Sequence, residues 1–130
     1  MVLVCIGCIA LAVEALPHLL PVSVEVEVMT DKEVYHSDNP MKIVVSLHAS
    51  KEIDDVRIDL EGIKNKRGTH KLIKSTSENL TSGVNNVTFD FITPPCSLCA
   101  GLDPGAYYIN ATVVYDNKTA NATHTITLEK

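Results

Sequence analysis

Val22-Ser23-Val24-Glu25-Val26-Glu27-Val28-Met29 places valine at every second position, with polar or larger residues between. A period of two is the signature of a β-strand with one face buried and the other wet. A helix would need apolar residues three and four apart instead. The same alternation recurs downstream. Ile43, Val45 and Leu47 alternate with Lys42, Val44 and Ser46. Val56, Ile58 and Leu60 alternate with Arg57, Asp59 and Glu61. Leu72 and Ile73 mark a short edge strand around residues 69–74. Val87, Phe89 and Phe91 alternate with Asn86, Thr88 and Asp90. Tyr107, Ile109, Ala111, Val113 and Tyr115 form another such set, and Ala120, Ala122, Ile126 and Leu128 a last one.

These seven predicted strands are separated by stretches rich in Gly, Pro, Asn and Asp. They include the turn-rich stretch from Thr30 to Pro40 and a basic loop from Gly62 to Gly68. No window holds a 3.6-residue period and no internal repeat is present. The pattern predicts an all-β antiparallel sandwich over residues 22–130. The chain length of 130 residues fits one such domain. It is too short for a dinucleotide-binding fold or a (β/α)8 barrel.

Residues 1–13 carry no charged side chain and are almost wholly apolar. The run is shorter than the ~20 residues of a membrane span and fits the apolar region of a secretory signal peptide. Cleavage after Ala15 is expected, which assigns residues 1–15 to the signal. The alternative is a buried apolar strand or helix. Attachment to a membrane is expected only through this segment, if it is not cleaved.

Five Asn-x-Thr triplets follow: Asn79-Leu80-Thr81, Asn86-Val87-Thr88, Asn110-Ala111-Thr112, Asn117-Lys118-Thr119 and Asn121-Ala122-Thr123. The Ser and Thr content predicts about one by chance, so five point to N-glycosylation in an exported protein. Asn86, Asn110 and Asn121 fall on the polar side of their strands, and Asn79 and Asn117 in predicted loops. All five can therefore face solvent, as a glycan must.

Cys5, Cys8, Cys96 and Cys99 form two C-x-x-C pairs. Four thiolates could bind zinc, but the first pair lies in the apolar leader. Position 100 is Ala, which excludes haem attachment. For Cys96 and Cys99, between two predicted strands, a small structural disulfide in an oxidising compartment is expected. A ring this short removes little unfolded-state entropy.

The net charge of −5 argues against nucleic-acid binding, which favours a basic surface. The one basic cluster, Lys64-Asn65-Lys66-Arg67 with Lys71 and Lys74, has no interleaved aromatic residues. It reads as a solvated loop. Asp54 and Asp55, with Asp31, Asp38 or Asp103 from other loops, are the candidate Ca²⁺ ligands. The histidines His18, His36, His48, His70 and His124 lack metal-type spacing. No nucleophile elbow, H-E-x-x-H or P-loop is present. No catalytic residue, no resident cofactor and no enzymatic activity are expected.

Leu102-Asp103-Pro104-Gly105-Ala106-Tyr107-Tyr108-Ile109 resembles the corner before strand F of immunoglobulin-like and fibronectin-like domains. The resemblance implies that Tyr107 folds its hydroxyl back onto the backbone as a tyrosine corner. Ile109 stands where an antibody-type domain carries its second Cys, and the chain has no Trp for strand C. Thr30-Asp31-Lys32-Glu33-Val34-Tyr35, followed by Ser37-Asp38-Asn39-Pro40, is similar to the opening of macroglobulin-like and prokaryotic surface Ig-like domains, archaeal ones among them. There the segment crosses between strands A and B. The position that such domains fill with Gly is Asp38 here. The resemblance covers most of Val22–Leu128 and implies a secreted cell-surface module. Three roles are compatible with it: a structural or adhesive module, a filament subunit that lends its Val22–Val28 strand, or the apolar segment before it, to a neighbour, and an accessory domain that grips a partner through its loops. The expected partner is a protein or another envelope component, self-association included.

Overall fold

The computed structural model describes residues 22–94 and 102–129. The apolar leader and both C-x-x-C pairs lie outside the described residues, so the signal-peptide and disulfide expectations do too.

Eight strands make up the described fold: β1 (Val24–Thr30), β2 (Val34–His36), β3 (Pro40–Ala49), β4 (Ile53–Lys64), β5 (His70–Leu80), β6 (Gly83–Ile92), β7 (Gly105–Tyr115) and β8 (Lys118–Glu129). They form two sheets, β1-β3-β6 and β2-β8-β7-β4-β5. The protein is an all-β, Ig-like sandwich.

Alternation decides which face each strand buries. Met41, Ile43, Val45, Leu47 and Ala49 of β3 meet Val56, Ile58 and Leu60 of β4 and Ile109, Ala111 and Val113 of β7 in one apolar core. All are buried almost completely. A fully buried side chain of this size contributes roughly 1.5–3 kcal/mol. One continuous core therefore accounts for why the alternation is so regular in the central strands.

The edges depart from the sequence expectation. Seven strands were expected and eight are present, because Thr30–Pro40 contains β2. It is only three residues long and pairs parallel to β8, Val34 with Thr127 and His36 with Glu129. Three residues are too few to display a period. The edge strand expected at residues 69–74 runs on to Leu80. The positions of β5 opposite Leu60, Ile58 and Val56 are Lys74, Thr76 and Glu78, so polar residues occupy its inward side and hide the strand signal. Inward polar residues on an edge strand also discourage pairing with another chain. The basic loop is shorter than expected, since β4 continues to Lys64.

At the end of β4 the alternation breaks, with Gly62 and Ile63 both buried. Ile63 has φ of 53°, a left-handed conformation that a β-branched residue rarely adopts. A side chain on Gly62 would put its Cβ 2.4 Å from the Tyr108 carbonyl oxygen. Only glycine allows β4 and β7 to approach this closely.

Candidate functional site

The five sequon asparagines all lie away from the core. Asn86 stands exposed on β6 of the three-stranded sheet. The other four belong to the five-stranded sheet or its turn. Asn79 is not in a loop, as expected, but is the penultimate residue of β5. Its Oδ1 accepts the Asp55 amide (3.0 Å), capping an irregularity in β4 where Asp55 has φ of 56°. Asn117 is the second residue of the two-residue turn between β7 and β8. Asp116 and Asn117 both have positive φ (46° and 60°), the type I′ geometry that matches strand twist.

Asn110 and Asn121 lie across one ladder. Asn110 pairs with Thr123, Ala111 with Ala122, and Thr112 with Asn121. Two sequons thus face each other head to tail on the outer side of β7 and β8. The Thr123 hydroxyl donates to Asn110 Oδ1 at 2.5 Å. Asn121 is exposed and Asn110 half-buried. A hollow of about 400 Å³ opens beside Asn110, lined by Gly62, Lys64, His70, Ala106, Tyr107 and Tyr108 as well. Tyr108 is 62% exposed.

Two tyrosines pin the chain where it enters strands. The Tyr107 hydroxyl donates to the Asp103 carbonyl (2.6 Å) and accepts the Asp103 amide (3.0 Å). At the crossing between sheets, the Tyr35 hydroxyl donates to Asp31 Oδ1 (2.5 Å) and accepts the Lys32 amide (2.8 Å). The same Asp31 oxygen accepts the Lys42 amide (3.0 Å). The bond from Tyr35, aided by the Lys42 amide, holds the Asp31 carboxyl below its ordinary range. Burial and the bond to Asp31 push the Tyr35 hydroxyl up to about 12. Asp38, at the glycine position of the resembled motif, has φ of 61°, the conformation that glycine adopts freely.

The nearest approach to catalytic chemistry is at His124. Its Nε2 lies 2.9 Å from the Thr30 hydroxyl and 3.7 Å from the Glu33 carboxylate. Thr30 gives its only hydroxyl proton to the Lys32 carbonyl (2.6 Å). Nε2 must therefore donate to Thr30 and cannot take a proton from it. This is a structural tie between β8 and the crossing, not a nucleophile with its base.

A groove of about 740 Å³ opens between the β5 and β6 edges, with Lys32, Lys42 and Lys74 around Asp31, Asp90 and Phe91. Lys42 pairs with Asp90 (3.0 Å). No group of three potential metal-ligating side chains comes together among the described residues. The candidate Ca²⁺ ligands are thus not brought together. Asp31 is engaged by Tyr35, Asp103 pairs with Lys66 (2.8 Å), and Asp55 sits at the β4 irregularity.

Solved structures with the same arrangement of strands include the CARDB domain of a Pyrococcus furiosus protein, crystallised with di-metal ions. It is 18% identical, with a TM-score of 0.57 over 83% of this chain and 89% of that one. The likeness is one of fold: both chains are Ig-like β-sandwiches. The sporulation control protein Spo0M of Bacillus subtilis matches 82% of this chain with 49% of its own length (13% identity, TM-score 0.55). A cycloisomaltooligosaccharide glucanotransferase of Paenibacillus matches 81% of this chain with 14% of its length (18% identity, TM-score 0.61). The same kind of sandwich thus forms a domain of one protein and a small part of an enzyme in another, so it fixes architecture and not activity. No protein-family model and no curated protein matches the sequence.

Sequence reasoning located the sequons and both tyrosine motifs. It missed the Asn110 hollow, because Gly62 and His70 reach it from strands distant in sequence. It also missed the lysine groove, whose residues come from four separate segments.

Proposed function

We propose that the chain is a non-enzymatic module of an exported or cell-surface protein, N-glycosylated on Asn79, Asn86, Asn110, Asn117 and Asn121, with a structural or adhesive role. One observation carries this reading: every Asn-x-Thr asparagine stands on an outward strand position or in the β7–β8 turn, and none on a core position. A sequence that used Asn and Thr only as turn formers would have no reason to concentrate four of these triplets on one sheet. The resemblance to surface Ig-like modules supports the same reading.

Of the alternatives, lending of the N-terminal strand has less support. All seven residues of β1 are paired with β3 in the chain's own sheet. The lysine groove suits a partner with acidic groups, which keeps an accessory role as the second reading. The exported reading includes a Cys96–Cys99 disulfide, which titration of free thiols in the native protein tests. The main test is glycopeptide mass spectrometry on protein recovered from its own host. Glycan on several of the five asparagines is expected. Five unmodified asparagines overturn the reading.

A further inference from the structure

We propose that Tyr108 is the seat on which the first sugar of an Asn110-linked glycan stacks. The inference rests on the glycosylation reading and adds the residue that packs against the carbohydrate.

Tyr108, Asn110 and Thr112 occupy alternate positions of β7 and so share its outer face. Tyr108 is the one aromatic residue among the exposed large hydrophobic side chains of the described residues. It lies on a sheet face whose other members are mostly polar. Covering an exposed aromatic ring removes apolar surface from water, which is favourable. The face of its π system is negative and attracts the slightly positive C–H groups of a pyranose ring. Tyr108 and Asn110 line the same hollow, whose volume falls in the range of small-ligand sites, about 300–1,000 Å³. Lys64 and His70 on its rim offer donors to sugar hydroxyls.

The side-chain amide is suitably disposed. Asn110 Oδ1 is held by Thr123 on β8, while Nδ2 has no hydrogen-bond partner among the described residues. Nδ2 is the atom that is glycosylated. It loses one proton and bonds to the anomeric carbon of a lipid-phosphate-linked sugar donor. The carbon–oxygen bond of the donor breaks, and the lipid phosphate leaves with the bonding pair.

The other sequons lack this arrangement. The residues two positions before Asn79, Asn86 and Asn121 are Ser77, Val84 and Thr119. Asn117 follows Tyr115, but that ring is buried and its hydroxyl accepts the Val24 amide (3.2 Å). Tyr108 thus singles out Asn110 as the site where the glycan becomes part of the fold.

The test uses the full chain made in a host that N-glycosylates it, with occupancy of Asn110 read by mass spectrometry. Thermal unfolding is compared for the parent, Asn110→Gln, Tyr108→Ala and the double variant. Loss of the glycan is expected to lower Tm by roughly 3–6 °C when Tyr108 is present and by less than half of that when it is absent. Tyr108→Phe should keep the coupling, and Tyr108→Thr, which retains strand propensity, should lose it. Protons of the first sugar should shift upfield in the NMR spectrum of the parent and of Tyr108→Phe, but not of Tyr108→Ala. An occupied Asn110 with equal Tm losses in both backgrounds and no upfield shift overturns this proposal and leaves the glycosylation reading intact. An unoccupied Asn110 overturns the proposal together with that reading at this site.

Discussion

Tyr35 gives its hydroxyl proton to the Asp31 carboxylate four residues earlier, at 2.5 Å, while its ring is fully buried. The pair spans the point where the chain leaves β1 in one sheet and enters β2 in the other. Because Asp31 also accepts the Lys42 amide of β3, one carboxylate ties together the two sheets and the connection between them.

Tyr35→Phe should therefore cost about 1–2 kcal/mol, the penalty for leaving the Lys32 amide and the carboxylate without their shared partner. Thermal unfolding should register a fall of roughly 4–8 °C for each kcal/mol lost. Tyr107→Phe removes a similar pair of bonds at a more exposed corner and should cost less, about 0.5–1 kcal/mol.

The raised value for Tyr35 has a signature at high pH. Its folded-state value lies near 12 against 10 for an ordinary tyrosine. Its contribution to stability is fully present below pH 10 and is lost as pH rises toward 12. Absorbance at 295 nm should show Tyr35 ionising above the range of an ordinary tyrosine, together with unfolding. Tyr35→Phe should remove that step. A spectrum unchanged between parent and Tyr35→Phe near pH 12 would contradict the geometry.

Asp31 and Asp59 act at the opposite end of the scale. Asp59 is held low by the Ser75 hydroxyl and then by Arg57, Asp31 by Tyr35 and the Lys42 amide. Groups with lowered values stabilise the fold above the unfolded carboxylate range, and the contribution is lost as pH falls through the folded-state value. Denaturant midpoints measured below pH 5 should decline with acidity. The decline should be shallower in the Asp31→Asn, Asp59→Asn double variant.

Gly62→Ala should cost more than its single methyl group suggests. The new Cβ meets backbone, with Tyr108 O at 2.4 Å and Ile109 Cα at 2.9 Å, and backbone in the middle of a sheet cannot swing aside. A loss of about 2–3 kcal/mol is expected from urea unfolding. A neutral result would mean that β4 and β7 are farther apart than described.

In the β7–β8 turn, Asn117→Ala should cost about 1 kcal/mol, because alanine tolerates positive φ less well than asparagine. Asn117→Gly should be neutral or stabilising in unglycosylated protein, since Asp-Gly suits a type I′ turn. Equal stability of both variants would show that the turn has another geometry.

These positions also indicate where sequence and fold part company. The central strands β3, β4 and β7 are legible because each faces the core and must alternate. Tyr107 and the Thr30–Tyr35 segment are legible because short motifs carry their geometry. β5 is not, since an edge strand can place Lys74, Thr76 and Glu78 on its inward side beside solvent. Nor is β2, which owes its three-residue ladder to β8, some ninety residues later in the sequence. The same holds for the site. The asparagines are visible as triplets, but the hollow beside one of them exists only once β4, β5 and β7 lie side by side.

The pairing of β2 with β8 has a mechanical consequence. The two strands run parallel, so tension applied before β2 and after β8 pulls them in opposite directions along their length. The hydrogen bonds from Val34–His36 to Thr127–Glu129, with the Thr127 amide to the Glu33 carbonyl (2.9 Å) beside them, then bear the load together in shear. An antiparallel hairpin pulled at its open end would instead unzip one bond at a time. Wherever load reaches β2 and β8 together, this patch resists stretching by shear.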